Sequence, residues 1–191
     1  MPRGTADNTR NRILKAADRL FYQNGISQVS IDQIAEQAGV TKKTIYYHFD
    51  AKDALIVAYL QRRDATTLNW LIAQAEAAGD NTDDQINALF AGLTGWAQSS
   101  AFEGCPFARA ASDLAHRPGH PALAVGAAHK KKHLDWLIDL AQRAENAEPD
   151  LVGKQLLVLI DGAIATTLVT TDPTYFDAAR RAALSLLAAG Q

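Results

Sequence analysis

Apolar positions recur along this chain at intervals of three and four residues, the spacing that lines one face of an α-helix. In the first such stretch Ile13, Leu14, Ala17, Leu20 and Phe21 share a face, and Gly25 stands where a left-handed cap would end the helix. A second helix is predicted to start after Ser30, whose hydroxyl can accept a backbone N–H while Gln33 reaches back, a capping box. It ends at Gly39. Thr41 is expected to cap a third short helix through His48 or Phe49, and Asp50 a fourth, long one carrying Leu55, Ala58, Tyr59, Leu60 and Leu71 towards Gly79. Thr82 with Gln85 reads as another capping box, opening a helix to Ser99, and a short helix spans 105–116. Pro118 and Pro121 interrupt the chain before a long helix to Asn146; Pro149 opens the next, and Asp172-Pro173 the last. β-branched alternation is scarce and no segment reads as strand–turn–strand, so the expected fold is all-α with about nine helices.

The stretch SIDQIAEQAGVTKKTIYYHFDAKD, residues 30–53, has the physics of a helix-turn-helix. Ile31, Ile34, Ala35 and Ala38 form one apolar face, and the two alanines permit close approach of a neighbour. Gly39 supplies the tight turn, Val40 plugs the junction, and Ile45 with Phe49 anchors the third helix. The remaining face of that helix suits DNA. Lys42 and Lys43 can reach guanine acceptors, Thr44 can meet a phosphate or a thymine methyl, and Tyr46, Tyr47 and His48 add hydroxyl and imidazole donors. Lys52 falls in the first turn of the fourth helix, where its charge opposes the helix dipole and an anionic partner would account for it.

Charge supports the same division of labour. The formal net charge of -2 conceals an asymmetry: residues 1–60 carry eight Lys/Arg against six Asp/Glu, the rest eleven against fifteen. Phosphate contacts are therefore expected from the N-terminal part. Hydrophobic residues at 48% and charged residues at 21% describe a globular chain rather than a disordered one. The apolar run Leu156–Ile160 stops at Asp161, no membrane segment is expected, and the opening residues lack the apolar core of an export signal. One cysteine, Cys105, rules out an internal disulfide and suits a reducing cytoplasm.

Residues 9–60 resemble the DNA-binding domain of TetR-type regulators. The similarity begins at Thr9-Arg10 and runs through Leu14, Ala16-Ala17, Leu20-Phe21 and Gly25-Ile26. It continues through Val29–Val40, Thr44–Phe49 and Lys52. The resemblance implies a homodimer with two recognition helices in successive major grooves of double-stranded operator DNA, and repression relieved by a small-molecule effector. By that analogy Ser30, Tyr47 and Lys52 hold phosphates and Lys42, Lys43, Thr44, Tyr46 and His48 lie nearest the bases, with Thr41 a further DNA-contact candidate at the helix start. The expected organisation is a helix-turn-helix domain over 1–60 and a ligand-binding and dimerisation domain over 61–191. Gly104–Phe107, Ala110-Ala111 and His120-Pro121 are similar to one subgroup of TetR-type regulatory domains, a similarity that names no ligand.

The C-terminal two thirds carry the remaining candidates. Trp70, Trp96, Phe102, Cys105, Phe107 and Trp136 are candidates to line an apolar effector pocket. The last two helices are apolar over a wide arc and rich in small residues, which suggests a four-helix dimer interface built from Leu159, Gly162, Ala163, Thr166, Phe176, Ala179, Ala183 and Leu186. Asp161 must be paired if buried, either across the dimer or with a ligand. His129 and His133 have a metal-compatible spacing, but the lysines 130–132 between them repel a cation, and solvated or capping histidines are expected instead. Two alternatives stand beside the repressor: a thiol-based redox or electrophile sensor through Cys105, and an enzyme pairing Cys105 with one of the histidines. The enzyme is disfavoured, because no nucleophile elbow, phosphate loop, paired-carboxylate or metal motif occurs, and no cofactor is expected.

Overall fold

The computed structural model describes residues 3–188. Among these residues it has nine helices and no strand. They are α1 (Arg3–Asn24), α2 (Ile31–Ala38), α3 (Lys42–His48), α4 (Lys52–Glu76), α5 (Thr82–Ala97), α6 (Pro106–Asp113), α7 (Pro121–Arg143), α8 (Pro149–Thr170) and α9 (Thr174–Ala188).

Capping chemistry sets most of the boundaries. Ser30 Oγ accepts the Gln33 N–H at 3.2 Å, and Gln33 Oε1 accepts the Ser30 N–H at 2.7 Å. Gly39, at φ 62°, ends α2: its N–H donates to the Glu36 carbonyl at 3.0 Å and that of Val40 to the Ala35 carbonyl at 2.9 Å. Two caps fall one residue from where the sequence puts them. The Ala51 carbonyl accepts the Leu55 N–H at 3.3 Å, so Ala51 rather than Asp50 occupies the cap of α4. Asn81 caps α5, its side chain accepting from Asp84 N–H at 3.0 Å, so Thr82 is the first helical residue. Gln85 folds back instead to donate to the Gly79 carbonyl at 2.6 Å.

The chain forms two compact units, and α4 and α7 contribute residues to both. The first unit joins residues up to Arg63 with Pro106–Ala127, and is therefore wider than the 1–60 expected. Its core holds Ile13, Ala17, Ile34, Ile45 and Leu55 with no exposed surface. Arg63 ties α4 to α1 through a fork on Asp18 at 2.6 and 3.0 Å and lies over the Tyr22 ring.

The second unit comprises Asp64–Cys105 and the chain from Ala128 onward. Leu89, Leu137, Leu140, Leu156, Phe176 and Ala183 are fully buried in it. A Cβ on Gly153 would stand 2.5 Å from Ile138 Cγ1 and 3.0 Å from the Ile138 backbone N, so this glycine lets α7 and α8 touch backbone to backbone. By length and composition α8 could cross a membrane, against expectation: it has 22 residues and a window of mean hydropathy 1.5. Leu156, Ile160, Ala163 and Ile164 nevertheless pack into the unit's core, as a core helix does.

Candidate functional site

Helix α3 is anchored on one side only. Ile45 is completely buried, whereas Tyr46 is 45% and Tyr47 82% exposed. Thr41 Oγ1 accepts the Thr44 N–H at 3.1 Å and shares a 2.8 Å hydroxyl contact with Thr44 Oγ1, which stiffens the first turn. The Tyr47 and His48 rings meet edge to face at 5.1 Å. Lys43 is exposed and makes no ion pair among the described residues, while Lys42 lies 3.0 Å from Asp32. That carboxylate raises the Lys42 pKa, so a nucleic-acid contact by Lys42 has to compete with Asp32.

Side chains outside residues 30–53 set the position of this helix. Arg12 of α1 donates to the carbonyls of Ala38 at 2.6 Å and Gly39 at 3.1 Å, bracing the turn between α2 and α3. Asp113 of α6 accepts the Ile26 N–H at 2.7 Å and fixes the loop ahead of α2. Neither was legible in the sequence, because each acts across a long separation that leaves no periodic signal.

Lys52 has a protein partner: its ammonium donates to the Ile26 carbonyl at 2.7 Å and lies 6.0 Å from the Phe21 ring centre. Partial burial lowers its pKa. The Ile26 carbonyl thus gives this ammonium a partner inside the chain, beside the opposed helix dipole. Next to it, Arg117 forks onto Asp53 at 3.1 and 2.6 Å and holds that carboxyl down at about 2. His120 Nδ1 accepts the Ala122 N–H at 3.1 Å, capping α7, and its Nε2 lies 3.2 Å from Asp53 but off the line of a hydrogen bond.

The C-terminal candidates divide. Trp96 and Phe102 form an edge-to-face pair at 4.8 Å, and both, with Cys105 and Trp136, are half-buried against the core of the second unit. Trp70 is 44% exposed. Phe107 is a correction: it is buried within the first unit, whereas the other five belong to the second. Phe176 and Ala183 are a second correction, since both are consumed by the chain's own core; Ala163 and Ala179 are also largely buried. Leu159, Gly162 and Thr166 line an open groove of about 280 Å³ together with those two alanines and with Val158, Tyr175 and Ala178. Leu186 lines a neighbouring groove with Lys154 and Ala182.

The charged run on α7 spreads over three carboxylates. Lys130 pairs with Asp161, Lys131 with Asp135 and Lys132 with Asp64, so Asp161 finds its partner within the chain. His129 and His133 are buried, not solvated, at 5% and 4% exposure. His129 Nδ1 lies 3.0 Å from Asp64. No group of three or more metal-ligating side chains occurs among the described residues.

Known proteins with similar sequences and folds match this geometry. Residues 13–59 match the profile of bacterial regulatory proteins of the tetR family. A crystal structure of a TetR-family transcriptional regulator from Streptomyces coelicolor is 31% identical and superposes with a TM-score of 0.85, covering 96% of each chain. The HTH-type transcriptional regulator TtgR of Pseudomonas putida is 38% identical over 78 residues, 41% of this chain and 36% of the relative. The regulator YjdC of Escherichia coli is 23% identical over 93% of both.

Proposed function

The chain belongs to the TetR family of transcriptional regulators, and we propose that it acts as a cytoplasmic, ligand-responsive repressor, a homodimer on a palindromic operator that a small, mainly apolar effector releases. In this reading Lys42, Lys43, Thr44, Tyr46 and His48 face base edges, Thr41 frames the helix start, and Ser30, Tyr47 and Lys52 approach phosphates. The observation that carries it is the one-sided anchoring of α3: Ile45 is locked in the core while Tyr47 is 82% exposed. A short helix held so rigidly, with a donor-rich outer face, suits a major groove.

The dimer reading is supported by the outer face of α8 and α9, where Val158 is 70% and Val169 84% exposed beside Gly162 and Tyr175. The effector reading is supported by the half-buried aromatics Trp96, Phe102 and Trp136 on the core of the second unit. An effector that binds the non-operator conformation better by ~3 kcal/mol lowers DNA affinity ~100-fold. Cys105 is then a neighbour of the effector, and Cys105→Ser keeps the response.

The test is selection of binding sites from random duplex DNA by the full-length protein. The expected product is a palindrome whose half-sites are centred about 34 Å apart or a multiple of it. Recovery of no enriched sequence would remove the repressor reading.

A further inference from the structure

We infer that His133 is the polar anchor of the effector site, its unpartnered and buried Nε2 marking where a neutral, mainly apolar molecule carrying a hydroxyl group binds in the second unit. This rests on the effector reading above and narrows it to a ligand class.

His133 is 4% exposed, and its Nε2 meets no donor or acceptor among the described residues. A buried polar atom without a partner is rare in a folded protein and costs stability unless something else satisfies it. The neighbouring groups are already engaged. His129, one turn back with its ring centre 6.5 Å away, is taken by Asp64. Lys130 is held by Asp161, and Lys132 shares Asp64. The other orphaned imidazole nitrogen, on His120, at least lies 3.2 Å from a carboxylate. His133 has no such neighbour.

The position is equally telling. Helical spacing puts His133 on the stripe of α7 that carries Trp136, Leu137 and Leu140, where an apolar residue would cost nothing. Leu137 and Leu140 are fully buried, and Trp136 is half-buried against the same core as Trp96 and Phe102.

The chemistry of the ring selects the ligand. Burial, helped by the charge on Lys130, pushes the His133 pKa down to about 3. The ring is therefore neutral in the cell, with one N–H donor and one bare nitrogen. Such a ring has no charge with which to attract a carboxylate, and no set of three metal ligands lies with it among the described residues. A hydroxyl, which both donates and accepts, fits either tautomer, and Trp136, Leu137 and Leu140 on the same stripe of α7 favour an apolar body, as in a phenol.

Two probes of one shape test this on the full-length dimer: 2-naphthol and 2-methylnaphthalene, titrated by tryptophan fluorescence. The wild type is expected to prefer 2-naphthol by at least ~30-fold, because a site built to hydrogen-bond a hydroxyl rejects the analogue lacking it. His133→Leu should reduce the preference below ~3-fold, and His133→Gln, which keeps a donor and an acceptor, should restore part of it. Without probe, His133→Leu should unfold at a higher temperature than wild type, since the orphaned nitrogen is gone. Equal affinity for the two probes, binding of neither at millimolar concentration, or a preference unchanged in His133→Leu overturns the proposal. So does a lower unfolding temperature in both variants, which indicates a nitrogen already satisfied by buried water. Operator binding, followed in parallel, separates the two levels: a wild type without hydroxyl preference but with operator binding intact removes this inference alone, and absence of operator binding removes the repressor reading.

Discussion

Individual side chains in this protein divide sharply between those that hold the fold and those left for other molecules. Tyr47 and Ile45 are two residues apart and belong to opposite classes. Tyr47→Ala is expected to leave stability within ~0.5 kcal/mol of wild type while weakening DNA binding on every sequence about equally, with the salt slope unchanged because a neutral phenol displaces no counterion. Lys43→Ala should change which operator bases matter instead. Competition binding at several salt concentrations checks both; unchanged affinity and preference in both variants would exclude α3 as the recognition helix.

Two titrating residues give the protein an acid-sensitive stability, one acting mainly above and one mainly below about pH 3.5. His133 is neutral in the fold but protonates near its ordinary value of 6.5 in the unfolded chain. Between pH 6.5 and about 3 the unfolded state therefore binds more protons, and stability falls as pH falls. Asp53, held down to about 2 by Arg117, contributes stability that is present above 3.8 and lost as pH drops through its folded value. Urea unfolding at a series of pH values should show His133→Leu flattening the upper window and Asp53→Asn the lower. An unaltered upper window in His133→Leu would mean that the ring is not buried neutral.

At the scale of elements, the turn between α2 and α3 is the point on which geometry depends. Gly39 at φ 62° is in the left-handed region, and a Cβ there would meet Arg12 Nη2 at 3.1 Å. Gly39→Ala is expected to cost about 1 kcal/mol in stability. Arg12→Ala leaves two carbonyls without their side-chain donor and should reduce operator affinity without touching DNA itself. Denaturation and DNA binding measured together test this: an affinity loss in Arg12→Ala without greater exchange of the α3 amides with solvent would point to direct DNA contact. The Ser30 and Thr41 caps were legible because each joins a side chain to a backbone N–H three residues on, and the Gly39 cap because glycine enters the left-handed region without strain. The caps of α4 and α5 were misplaced by one residue where adjacent positions compete, as at Asn81 and Thr82. Which of two capable residues turns its backbone extended depends on the path of the incoming chain.

At the scale of the whole molecule, the proposed dimer is tested on the outer face of α8 and α9. Val158→Asp or Gly162→Arg places a charge on an exposed apolar surface, so folding should be unaffected while dimers dissociate. Sedimentation at micromolar concentration should show monomers with weakened operator binding. A wild-type monomer under the same conditions would exclude the dimer. Ala183→Asp is a different experiment, because Ala183 has no exposed surface and its replacement unfolds the unit.

What the sequence determined by itself is what short-range chemistry controls: the all-α fold, the helix-turn-helix between Ser30 and Phe49, and the outward residues of α3. Each follows from apolar periodicity or from a cap closing over three or four residues. Only the tertiary structure decided that residues 106–127 pack with the N-terminal helices, that Arg12 and Asp113 brace the turns on either side of α2, and that Lys52 answers to a carbonyl. It also decided that Phe176 turns into its own core while Gly162 faces out, and that His133 is buried alone. These outcomes depend on which distant residues meet. On a helix that is apolar nearly all round, periodicity does not say which side the rest of the chain will cover.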